Sequence, residues 1–356
     1  MTGYSISDQI LHRFILGSSF INEFLFDLEC SIFEEKKASE LTHRPVFITG
    51  LARAGTTILM RSLYESGQFA SLTYDDMPFV MAPNLWRRMT SKNKKVRIKS
   101  ERAHGDGIEV DFDSPEALEE VFWRTFHGKE YIQRTSLRPH EISLETHRAF
   151  ESYQDLVCKK YGKARYLAKN NNHILRIKSL ARYCNHAAIL ILFRDPHDQA
   201  SSLLNQHNKF LTSPPFTRTY MELLAHHEFG ATHRPFIFKK NQPIEGDPKT
   251  LDYWLDRWCQ YYQYLLEFLA EHNPQNVMLV SYQRLCREPE YWKAICKFVD
   301  IPNIPANFSA PPSEHLPSSI ERIEHANALY NALEQAAAAK IADPKQHPKT
   351  ENITGC

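Results

Sequence analysis

From residue 5 to residue 38, apolar side chains recur at helical spacing: Ile10, Leu11, Phe14, Ile15, Phe20, Phe24, Leu25, Leu28, Ile32 and Phe33. The pattern predicts a pair of N-terminal packing helices, in preference to a partner-binding helix. Arg44-Pro45 opens the apolar run Val46-Phe47-Ile48-Thr49, which predicts a buried parallel strand. A glycine-bearing turn follows, and Ile58–Tyr64 returns to helical spacing. Residues 90–113 are polar and read as a solvated loop. Ser114-Pro115-Glu116 has the chemistry of a helix start, and 144–161 is helical in pattern. Arg165–Ala168 predicts a short strand, and His186–Phe193 a continuous buried one with a helix after it. Residues 205–250, rich in His, Pro, Thr and Phe with weak periodicity, read as a loop-rich insertion serving as a lid or substrate wall. An aromatic helix over 251–271, a strand at Val277–Val280 and a helix near 290–299 complete the order. Beyond about residue 335 the chain turns polar, which predicts a fraying tail.

Strands that alternate with helices predict an α/β fold: three layers, a central parallel sheet and extra helices. The expected organisation is an N-terminal helical segment (1–42), one large domain (43–334) and a tail (335–356). A chain of 356 residues with 42% hydrophobic content can bury such a core. Lys+Arg number 43 against 42 Asp+Glu, so there is no basic excess of the kind a duplex nucleic-acid partner requires. Any anion site must be local. The seven cysteines are scattered without metal-ligand spacing, which points to reduced thiols. The N-terminus lacks a basic segment followed by an apolar core, and no apolar run is long enough to span a bilayer. The expectation is a cytoplasmic protein without a membrane span.

The turn after the first strand reads Gly50-Leu51-Ala52-Arg53-Ala54-Gly55-Thr56-Thr57. A glycine-permitted turn at a helix N-terminus suits a phosphate, because backbone N–H groups converge there. Its glycines have Walker A spacing, which predicts a P-loop NTPase-like arrangement, but Thr56 stands where that motif has Lys. Arg53 supplies a cation inside the loop instead. The pattern G-x-x-R-x-G-T-T resembles the 5′-phosphosulfate loop of the sulfotransferases that use 3′-phosphoadenosine-5′-phosphosulfate (PAPS), with Ala54 where that family commonly has Ser. The His186–Phe193 strand runs into Arg194, and Ser202 follows eight residues later. That spacing is similar to the family's 3′-phosphate motif.

The resemblance, to tyrosylprotein-type and bacterial members above all, implies sulfuryl transfer from PAPS to a hydroxyl or amine without a metal, leaving 3′-phosphoadenosine 5′-phosphate. It implies donor contacts from Arg53, Ala54, Gly55, Thr56, Thr57, Arg194, Ser202 and Tyr282. It implies that Lys169 and Arg53 stabilise the sulfuryl oxygens and the leaving group. For the base it offers Asp76, from the pair Asp75-Asp76, ahead of His104. The acceptor is left open between a small molecule, a glycan and a lipid head group, and a homodimer is among the expectations. The alternatives are a P-loop kinase or other NTPase, which the missing lysine opposes, and a non-catalytic nucleotide-binding protein of the same fold.

Overall fold

The computed structural model describes residues 5–33, 44–90, 100–101, 109–110, 117–240, 242–310 and 316–342. The expected helix start at Ser114 and the candidate base His104 lie outside these residues. The N-terminal segment forms α1 (Ile6–Gly17) and α2 (Ser19–Phe33), broken at Ser18. Then follow β1 (Val46–Gly50), α3 (Thr56–Tyr64), β2 (Phe69–Ala70), α4 (Pro83–Thr90), β3 (Ser100–Glu101) and β4 (Glu109–Val110). The middle of the chain holds α5 (Glu120–Tyr131), α6 (Leu144–Tyr161), β5 (Arg165–Lys169), α7 (Ile177–Tyr183) and β6 (Ala188–Phe193). The remainder forms α8 (Pro196–Leu211), α9 (Pro215–Leu223), α10 (Leu251–His272), β7 (Val277–Ser281), α11 (Tyr282–Arg287), α12 (Pro289–Phe298) and α13 (Ile320–Ala342).

Among the described residues, β2-β5-β1-β6-β7 form one sheet in that order, with every pair parallel. Because side chains alternate across a strand, each strand feeds two cores. Val46, Ile48, Leu167, Leu190, Leu192, Met278 and Val280 pack on one face with Leu59, Met60 and Leu63 of α3 and Trp292 and Ile295 of α12. Phe47, Tyr166, Ala168, Ile189, Ile191 and Leu279 pack on the other, against α5, α6, α8 and α10. The result is the three-layer α/β fold that the strand–helix alternation predicts. Since the strands are parallel, the residues that follow β1, β5, β6 and β7 emerge along one edge, where α/β folds bind ligands.

Two segments differ from expectation. The last helix continues to Ala342, past the point where polar composition suggested a tail. Leu333 and Ala337 are buried there, and α13 packs against α10 and β7. Alanines at helical spacing need only a thin groove, so the composition hides a packed face. The 205–250 stretch is partly regular, since α8 runs to Leu211 and α9 follows. The irregular part after α9 is pinned by imidazoles. His227 Nδ1 lies 3.1 Å from Thr232 O, His233 Nδ1 3.0 Å from His227 O, and His233 Nε2 2.8 Å from Tyr253 Oη. The Gly230 N–H donates to His207 Nδ1 at 3.1 Å.

Burial pushes both His227 and His233 down to about 4, from 6.5. The unfolded chain therefore binds more protons than the native one between these values. The stability these rings confer is complete above about pH 6.5 and is lost as pH falls toward 4. Hydrogen–deuterium exchange, corrected for intrinsic rates, should show protection of peptides covering 224–238 collapsing over that window while the β1 and β6 peptides stay protected. Uniform behaviour of both sets would contradict this.

Candidate functional site

The loop after β1 is shaped by three backbone positions. Gly50 is pressed on β6, where a Cβ would lie 2.6 Å from the Leu192 carbonyl oxygen. Arg53 adopts φ +70° and Gly55 φ +96°. A Cβ on Gly55 would also meet the Tyr282 ring at 2.4 Å, so only glycine fits beneath that ring. The Ala54 N–H closes the turn on Leu51 O at 3.2 Å, and its methyl group is buried. Gly55 caps α3 without a side chain, and the buried Thr56 and Thr57 open the helix. Gly55 offers no side-chain cap to the first turn of α3, an arrangement that suits an anion.

Beneath the loop lies Gln199, wholly buried on α8. Its Nε2 donates to the carbonyls of Leu51 at 2.9 Å and Ala52 at 3.0 Å, and its Oε1 accepts from Trp258 Nε1 at 3.0 Å. The same helix carries Ser202, whose Oγ accepts from Arg53 Nε at 3.0 Å. The two sequence motifs therefore meet in space. Arg194 leaves β6, is buried, and sits 3.5 Å from Asp198 Oδ2. Its charge acts on Tyr282 and Cys286. Burial raises the Tyr282 phenol to about 12, and its hydroxyl donates to Ser309 O at 3.0 Å.

Lys169, half-buried, ends β5 beside Ile48 of β1. The turn after it is anchored by a buried polar network. Asn170 Nδ2 donates to Glu120 Oε2 at 2.6 Å, and Arg176 grips the same carboxylate with Nη1 at 2.8 Å and Nη2 at 2.9 Å. Burial alone would raise Glu120, but the Arg176 charge and hydrogen bonds outweigh it and bring it down to about 2. The neighbouring Glu119 accepts from Trp123 Nε1 at 2.8 Å and Tyr166 Oη at 3.0 Å, and pairs with His173 Nε2 at 3.1 Å.

Asp76 lies in the turn that follows β2. It is wholly buried, and Lys160 Nζ lies 2.5 Å from its Oδ1. Its Oδ2 accepts from Tyr161 Oη at 2.7 Å and from the Thr73 N–H at 2.8 Å. Burial pushes this carboxyl above its ordinary value while Lys160 pulls it back. Sequence reasoning missed Glu228, which lies in the 205–250 stretch. Its Oε1 accepts from Asn171 Nδ2 at 3.0 Å, two residues beyond Lys169. Burial would raise Glu228, but His226 and Lys169 hold it below the usual carboxylate range. No motif marks Glu228. Gln199, by contrast, does carry a local signal, being a polar residue among the apolar, buried positions of α8.

A parallel three-layer fold with a glycine-shaped loop at its carboxyl edge defines a P-loop-like α/β protein. The chain belongs to the sulfotransferase family, whose model matches residues 45–241, more than half of the sequence. No curated protein sequence matches the chain significantly. Similar solved structures include a sulfotransferase, STF1, of Mycobacterium tuberculosis H37Rv (14% identity, 96% of this chain and 87% of that one, TM-score 0.44). Another, STF9 of Mycobacterium avium, has 13% identity, covers 93% of this chain and 78% of its own, and gives a TM-score of 0.45. A sulfotransferase of Alicyclobacillus acidocaldarius has 14% identity over 84% of this chain and 96% of its own, with a TM-score of 0.41. Among the described residues no helix is long and apolar enough to cross a membrane.

Removing the Asp76 carboxylate would strand the buried Lys160 ammonium. Asp76→Ala should therefore cost about 3–5 kcal/mol of stability, read from urea unfolding at neutral pH. A loss below about 1 kcal/mol, at the level of an exposed ion pair, would show that the pair does not anchor this turn.

Proposed function

We propose that the chain transfers a sulfuryl group from PAPS to a hydroxyl or amine of an acceptor, leaving 3′-phosphoadenosine 5′-phosphate. The observation that carries this reading is the 3.0 Å contact between Arg53 of the loop and Ser202 of the second motif. A donor with phosphates at both its 5′ and 3′ positions needs two anion grips at a fixed separation. The loop amides, Arg53, Thr56 and Thr57 suit the 5′-phosphosulfate. Arg194 and Ser202 suit the 3′-phosphate, and Tyr282, packed on Gly55, walls the space between. Thr56 in place of the Walker lysine disfavours a nucleoside triphosphate.

In the proposed step the acceptor oxygen or nitrogen attacks sulfur. A bond from sulfur to the acceptor forms, and the bond from sulfur to the bridging oxygen of the 5′-phosphate breaks. The bisphosphate leaves with that electron pair, and the acceptor proton passes to a base. Charge builds on the bridging oxygen, where Arg53 and Lys169 act by electrostatics. For the base, Glu228 fits better than Asp76. Glu228 stands beside the Lys169 turn, whereas both oxygens of Asp76 are engaged by Lys160, Tyr161 and Thr73. Small-molecule, glycan and lipid acceptors all satisfy this chemistry.

Isothermal titration with 3′-phosphoadenosine 5′-phosphate tests the donor site. Arg194→Ala should weaken binding by about 10- to 150-fold, the span expected for a hydrogen bond to a charged group, and Ser202→Ala, which removes a donor without a charge of its own, should weaken it by less. Failure of the wild type to bind would refute the donor, and undiminished binding by both variants would refute the 3′-phosphate assignment.

Transfer of labelled sulfate from PAPS into a metabolite extract, in EDTA, tests the reaction. Glu228→Gln should lower kcat about 100-fold or more and abolish the acidic limb of the pH–rate profile, with bisphosphate affinity unchanged. An unaltered kcat would remove Glu228 from the mechanism.

A further inference from the structure

The outer faces of α1 and α2 carry Ile6, Ile10 and Phe14, then Phe20, Phe24, Leu28 and Ile32. Every step within each helix is four residues, so each set forms a single ridge along its helix. These side chains are between 37% and 78% exposed. The opposite faces are already committed. Leu16 and Phe26 enter the core, and the buried Glu29 accepts from Asn84 N at 2.7 Å, Asn84 Nδ2 at 2.8 Å and Leu85 N at 2.9 Å, which caps α4. α2 therefore cannot roll to hide its outer ridge without breaking the bonds of the buried Glu29 carboxylate.

We propose that this face is the interface of a homodimer, with the α1–α2 ridges of one chain packed on those of a second copy. Seven side chains of this size, more than half exposed on average, present on the order of 800 Å², about what one partner contributes to a stable interface. Ridges spaced by four residues interdigitate with copies of themselves, the commonest helix packing in globular proteins. A two-fold axis needs only such a self-complementary patch. The charges beside the ridges favour a protein partner over a lipid surface. Asp8, Glu23 and Asp27 outnumber Arg13 among the exposed flanking positions, whereas surface-lying membrane helices carry basic flanks.

Sedimentation velocity of the full chain over a concentration series tests the proposal independently of the donor reading. The wild type should self-associate in a concentration-dependent way. The double variant Phe20→Ser/Phe24→Ser should raise the dimer dissociation constant about 100-fold or more. Circular dichroism and the thermal midpoint should stay close to wild type, because both residues are exposed, and Ile10→Asp supplies a second break on α1. A wild type that remains monomeric at the highest concentration would overturn the proposal. So would variants that dimerise like wild type. Flotation of a monomeric protein with neutral or anionic phosphatidylcholine/phosphatidylserine vesicles would assign the face to lipid instead.

Discussion

The buried amide of Gln199 is the constraint on which the site depends. The loop turns the Leu51 and Ala52 carbonyls inward, and buried carbonyls need donors. Gln199 supplies one Nε2 to both Leu51 and Ala52, and its own oxygen is satisfied by Trp258 of α10. Three elements are thereby tied together: the loop, the helix bearing Ser202, and the long aromatic helix behind them. Each bond lies in the dry interior, so loss of any partner leaves an unsatisfied group there.

A second constraint comes from the sheet. Parallel strands deliver all their carboxyl ends to one edge, so Arg53, Lys169, Arg194 and Tyr282 are gathered although they are far apart in sequence. The turn after β5 has its own foundation in the Glu120–Arg176 pair and Asn170. Buried charges of this kind confer little net stability when compared with apolar residues, but they fix geometry, because every donor and acceptor has one satisfied arrangement. The histidine-pinned stretch that carries Glu228 is less robust, since its imidazoles must stay neutral to remain buried.

Much of this was legible along the chain. The strands at Val46–Thr49, Arg165–Ala168, His186–Phe193 and Val277–Val280 lie within a few residues of those observed, because continuous apolar runs bounded by turn residues have few other uses. The loop was legible because two glycines, an arginine and two threonines follow a strand directly. The resemblance offers Asp76 as a base, and local sequence does not register Lys160 and Tyr161, which arrive from α6 to engage its oxygens. The alanine-rich end of α13 looked like tail because small side chains carry little hydrophobic signal, yet they let the helix lie close on α10.

By itself, the sequence determined the local chemistry: which segments are strands, where a backbone can take positive φ, and which cations stand beside the turns. These follow from hydrophobic period and covalent structure, which act over a few residues. Only the tertiary structure decided that Arg53 touches Ser202, that Gln199 holds the loop from below, that Glu228 stands near Lys169, and that the ridges of α1 and α2 face outward. Each of these rests on contacts between elements distant in the chain. Such contacts are set by how the two faces of the sheet are covered, which no local pattern encodes.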